Sequence, residues 1–187
     1  MGQRSQIYIR YQKDGVNHLI ARYYQWNYGE RMISRCRHTL EWIRANIEYD
    51  WYFTHEKETL KRYLDVNFDM KSVVLGSDII KEWEDCTWKE ETTFKGFVFL
   101  EQANNDGQLY INIKDGVTKY AFLDYESNTE NIMTARQYMD WDYENWETTE
   151  YLDDEDREIC KNNFRAIEEI AQLMTKEEVE DFINCDY

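Results

Sequence analysis

The sequence predicts an α+β protein in which an antiparallel sheet packs with helices and the C-terminal part is helical. Three observations predict it. Strand-like alternation flanks Asp-Gly pairs near the start and in the middle of the chain. A helix-period apolar stripe follows Gly29. A second stripe, with capping residues, closes the chain. The order ββαα, then α and βββ, then ααα, groups strands and helices in blocks rather than alternating them, which defines α+β.

Ile7, Ile9 and Tyr11 alternate with Tyr8 and Arg10, and Asp14-Gly15 supplies the turn of a hairpin returning over Leu19–Tyr24. Ile33, Cys36, Leu40, Ile43 and Ile47 are spaced 3, 4, 3, 4, a single helical stripe. Thr54 is placed to cap a helix burying Leu60 and Leu64, and Ser77 a short one carrying Ile79, Ile80 and Trp83. Phe94–Leu100, Leu109–Ile113 and Val117–Leu123 read as a three-stranded meander with turns at Asp106-Gly107 and Asp115-Gly116. A helix is expected from Asn128 or Thr129 through Met139, and another from Asp154 to Met174 along Cys160, Phe164, Ile167, Ala171 and Met174. Thr175 and Glu178 form a capping box for a last helix with Val179, Phe182 and Ile183. With no proline and no Gly/Ser linker, residues 1–187 read as a single domain, and 124–187 as an acidic helical part that could form a sub-domain.

Composition bounds the function. The chain has 187 residues and a net charge of −16, divided into +4 over residues 1–62 and −20 over 63–187. The 15 Tyr, 8 Phe and 7 Trp belong to a folded body rather than a disordered acidic chain. A surface so charged repels nucleic acid and attracts basic proteins. The four cysteines, Cys36, Cys86, Cys160 and Cys185, are too scattered for a metal knuckle or a redox pair, and read as reduced thiols in a cytoplasmic protein. No signal peptide and no apolar run of membrane length appear.

Chemistry-bearing motifs are scarce. No phosphate loop, dinucleotide fingerprint or nucleophile elbow occurs. Cys36 and His38, two apart on a helix, point to different faces. Asp140, Asp142 and Glu144 have the oxygen chemistry of a Mg²⁺ site but lack the strand and lysine of metal-dependent nucleases. Neither a catalytic residue nor a cofactor is expected.

Two segments point to binding. Asp124 to Cys160 holds 13 Asp/Glu against 2 Lys/Arg, interleaved with six aromatics. Carboxylates at that density imitate the charge of a nucleic-acid backbone, and exposed aromatics anchor interfaces. Trp141, Glu144, Trp146, Glu147, Glu150, Asp153, Asp154 and Asp156 are the candidate partner-binding residues. The plainer reading is that the aromatics pack inward and the acids are solvated. In the second segment, Tyr24 and Trp26 could stack on single-stranded nucleic acid while Arg31, Arg35 and Arg44 touch phosphate. The plainer reading puts these aromatics in the core and pairs the arginines with the acidic half.

Met1–Arg10 (MGQRSQIYIR) and Tyr23–Arg35 (YYQWNYGERMISR) resemble a family of small proteins from phages and prophages of Firmicutes, some of which look like anti-CRISPR proteins acting on type II Cas9. The resemblance covers roughly residues 1–45 and carries no catalytic motif. It implies a partner with basic grooves for guide RNA and target DNA, and a location in the host bacterial cytoplasm. The expectation is an inhibitor that binds a basic nucleic-acid-handling protein through an acidic, nucleic-acid-mimicking surface. A nucleic-acid binder using the N-terminal block, a metal-dependent nuclease and a phage structural or host-takeover factor stand as alternatives.

Overall fold

The computed structural model describes residues 3–13, 16–25, 27–46, 80–82 and 105–185. Strands β1 (Arg4–Lys13) and β2 (Val16–Gln25) pair antiparallel with Lys13 opposite Val16. Helix α1 (Gly29–Asn46) follows, then the short strand β3 (Ile80–Glu82) and the hairpin β4 (Gln108–Lys114) and β5 (Val117–Leu123). Helices α2 (Ala135–Tyr143) and α3 (Asp154–Ile170), strand β6 (Gln172–Leu173) and helix α4 (Lys176–Asn184) complete the described elements. The strands lie in the order β3-β2-β1-β4-β5-β6. The α+β class holds, but the sheet is mixed: β1 runs parallel to β4, and β5 to β6.

Strand alternation divides the core. Ile7, Ile9, Leu109, Ile111 and Ile113 face α1, α2 and α3, where the predicted stripe Ile33, Cys36, Leu40 and Ile43 is fully buried. Tyr8, Tyr110, Ala121 and Leu123 face the other way and pack against Val179 and Phe182 of α4. Arg10, 4% exposed, fixes α4 there. Its Nε donates to Asn112 at 2.8 Å, and it reaches Asp181 at 2.8 Å across the Phe182 ring.

Three expectations are corrected. Ile80 lies in a strand rather than a helix, because residues 80–82 pair with Arg22–Tyr24. The helix expected from Asn128 starts at Ala135. Met133 exchanges backbone hydrogen bonds with Phe122, and Thr134 with Gln137 forms the capping box. The helix expected to reach Met174 stops at Ile170. Ala171 packs on the α1 side of the sheet and Met174 on the α4 side, so the chain must cross the sheet edge as β6. The Thr175–Glu178 capping box forms as expected. Ile47, the helix after Thr54 and the strand over 94–100 fall outside the described residues.

Candidate protein-binding site

The two segments marked in the sequence meet at the N-terminus of α1. Gly29 opens the helix at φ 45°, a left-handed conformation that costs glycine little. The Tyr143 ring occupies the space a Cβ on Gly29 would need. The Gly29 N–H donates to the Asp142 carboxylate, and Tyr143 donates its phenol hydrogen to Glu30 Oε2. The end of α2 is thereby clamped on the start of α1.

Asn27 organises the layer beneath. Its carbonyl accepts from Ser5 Oγ at 2.5 Å, its Nδ2 donates to Ser5 Oγ at 2.9 Å, and its Oδ1 accepts from Arg35 Nε at 3.0 Å. The Arg35 guanidinium lies 4.4 Å from the Tyr24 ring centroid. Tyr24 is fully buried and Arg35 is 2% exposed, so neither can stack on or clasp a nucleic acid. Burial of both in one hydrogen-bonded layer corrects that expectation. Arg31 is half-buried over the Tyr28 ring, and Arg44 is exposed in the last turn of α1, where a cation complements the helix dipole. Trp26 lies outside the described residues.

The acidic segment divides between structure and surface. Glu144, Glu147, Glu150, Asp153 and Asp154 are exposed. Trp146 is not: it is fully buried, edge-on to Phe164 at 5.2 Å beneath Arg136, and cannot anchor a partner. Asp156 is likewise buried, because Asp153 and Asp156 form a reciprocal capping box that starts α3. Trp141 is half-buried against Tyr138 and Tyr125. The exposed aromatics are Tyr151, at 77%, and Tyr125, at 53%. The sequence reading takes Trp141 and Trp146 as anchors and does not single out Tyr151, which lies in the loop between α2 and α3. Arg157 Nη2 donates to the Thr149 carbonyl at 2.7 Å, pinning that loop to α3.

Between the clamp and this loop lies a cleft of about 680 Å³. Among the described residues, Glu30, Asp106, Asp142 and Glu144 bring carboxylates to it, and Tyr28, Tyr143 and Tyr151 bring rings. Burial pushes the Asp106 carboxyl up to about 6, against the lowering effect of the Arg4 N–H it accepts. Burial, then the Asp106 charge, pushes Asp142 up to about 8 despite the Gly29 N–H. The sequence did not mark Glu30 or Asp106, since long-range β1–β4 pairing brings Asp106 beside the start of α1.

Cys36 and His38 do not form a catalytic pair. Burial pushes the Cys36 thiol well up, opposite to what a nucleophile needs, while His38 lies 3.4 Å from Glu41 at the half-exposed surface. Among the described residues no group of three or more His, Cys, Asp or Glu is arranged to hold a metal ion. Nor is any helix among them long and apolar enough to cross a membrane. Comparison with protein-family models, curated proteins and solved structures finds no match.

Proposed function

We propose that the chain is a binding protein that docks an acidic face, Glu144 to Asp154 with Tyr151 as its aromatic anchor, into a basic groove of a nucleic-acid-handling protein. A type II Cas9 effector is the first candidate, on the resemblance of Met1–Arg10 and Tyr23–Arg35. The observation that carries the reading is the α2–α3 connection. Glu144, Glu147, Glu150 and Tyr151 are all exposed on it, Glu147 beside Arg136, and the exposed Asp153 and Asp154, the latter beside Arg157, follow at the start of α3. Spaced carboxylates on a held loop can stand where phosphates would lie, and complementary charge accelerates encounter.

The test is capture of purified Cas9 by the tagged protein, with and without guide RNA, at low and high salt. Salt-sensitive capture that guide RNA competes away supports occupation of the guide groove. Capture that needs the guide supports the target-DNA groove. Absence of capture in every condition removes Cas9 as the partner.

A further inference from the structure

Residues 124–187 hold 20 Asp/Glu and only 5 Lys/Arg. Three of those five cations, Arg136, Lys161 and Arg165, nevertheless line one pocket of about 220 Å³ with Phe164 and Glu168. Lys161, Phe164, Arg165 and Glu168 fall at i, i+3, i+4 and i+7, on one face of α3. Arg136 joins them from the first turn of α2. The cations are incompletely matched. Arg136 lies 3.3 Å from Glu147, with both side chains about half exposed. Lys161 is 3.9 Å from Glu158. Arg165 is exposed, donates to Asn162 Oδ1 at 3.1 Å and forms no ion pair among the described residues. Glu168 lines the pocket without pairing with any of the three. Trp146, fully buried against Arg136 and Phe164, leaves its indole N–H without an acceptor, a further unmatched donor beside these two residues.

We infer that this pocket binds a single phosphate monoester, carried by a phosphorylated side chain or a mononucleotide. Three cations less one carboxylate give the lining a net charge of +2, which a monoester of charge about −1.5 to −2 at neutral pH matches. A lone carboxylate would leave it half matched. Two guanidinium forks suit the oxygens of a phosphate. The pocket is smaller than the about 300–1,000 Å³ of sites that enclose a whole drug-sized ligand, so it takes a group. A polynucleotide running past it would meet Glu147 and Glu158, which stand beside Arg136 and Lys161, and be repelled. The inference is independent of the acidic-face reading; the entering phosphate competes with Glu147 for Arg136.

Isothermal titration of the full chain with a phosphoserine peptide and with adenosine monophosphate tests it. The unphosphorylated peptide and adenosine are the uncharged controls, and a short oligonucleotide without terminal phosphates tests a polyanion. The pocket variant is Lys161→Gln with Arg165→Gln. Arg44→Gln with Lys114→Gln changes the net charge equally at two exposed positions elsewhere. At least one monoester is expected to bind saturably, and its unphosphorylated counterpart not at all; the tighter of the two identifies the source of the phosphate. The pocket variant should lose about tenfold in affinity, the scale of one hydrogen bond to a charged group, while the charge control keeps the parent's affinity. Equal weakening of both variants, an unchanged pocket variant, or binding of neither monoester overturns the inference. Tighter binding of the oligonucleotide overturns it in favour of nucleic-acid binding. Urea midpoints equal to the parent's establish that the variants are folded. In the parent itself, the side-chain N–H signals of Arg136 and Arg165 should shift during the titration, and unshifted signals contradict the site whatever the variants do.

Discussion

Tyr143 lies against Gly29, and its hydroxyl reaches the next residue, Glu30. That relationship joins the end of α2 to the start of α1 and forms the floor of the cleft. It also accounts for Tyr28-Gly29-Glu30 within the aromatic run. Gly29→Ala must adopt φ 45° with a side chain and displace a ring held by a hydrogen bond. The expected loss is about 1–3 kcal/mol, read from urea unfolding. A loss within experimental error would show that the clamp is slack.

Asn27 serves Ser5, Met32 and Arg35 together. Asn27→Ala leaves the Arg35 guanidinium without that acceptor inside the protein, and about 2–4 kcal/mol of stability should be lost. Arg35→Lys should lose part of it, because an ammonium cannot both stack on Tyr24 and reach Asn27 as a planar guanidinium does. Equal stability of both variants with the parent would return Arg35 to the surface roles considered from sequence.

Trp146 and Tyr151 lie five positions apart in one acidic loop and should behave oppositely. Trp146→Ala empties a fully buried site against Phe164 and should cost about 3–5 kcal/mol. Tyr151→Ala, at a position 77% exposed, should change stability by less than about 0.5 kcal/mol while weakening partner binding. Thermal unfolding and binding measured on both variants separate the two roles.

Asp142 titrates near 8 in the folded protein and Asp106 near 6, both above the ordinary carboxylate range of the unfolded chain. Between that range and these values the folded state binds more protons than the unfolded state, so stability falls as pH rises. The contribution is fully present below about pH 4 and lost as pH passes about 6 and then about 8. Glu30, Tyr138 and Tyr143 surround Asp142 alongside Asp106. Asp142→Asn keeps an acceptor for the Gly29 N–H and removes the charge. Its urea midpoint should therefore decline less than the parent's between pH 6 and 8.5. Parallel declines would place the titration elsewhere.

Local rules carried much of the fold. The stripe from Ile33 to Ile43 and the Thr175–Glu178 box are determined within a few residues, and both formed as the sequence implied. What was not legible depended on distant partners. Met133 and Ile80 take extended backbone because Phe122 and Tyr24 pair with them. Ala171 and Met174 continue a helical spacing yet lie on opposite faces of the sheet. The site divided in the same way. The exposed glutamates of the α2–α3 loop were visible in the charge run, whereas the burial of Trp146 and Asp156 follows from packing and capping around α3. Asp106 entered the cleft only through pairing of β1 with β4.

The most direct test of the acidic-face account is the salt dependence of affinity for Cas9, with and without guide RNA. It is measured for the parent and for the variant Glu147→Gln, Glu150→Gln and Asp154→Asn. The account predicts tight, steeply salt-dependent binding by the parent, and weaker binding with a shallower slope in the variant. Equal affinity and equal slope in the two proteins would contradict it.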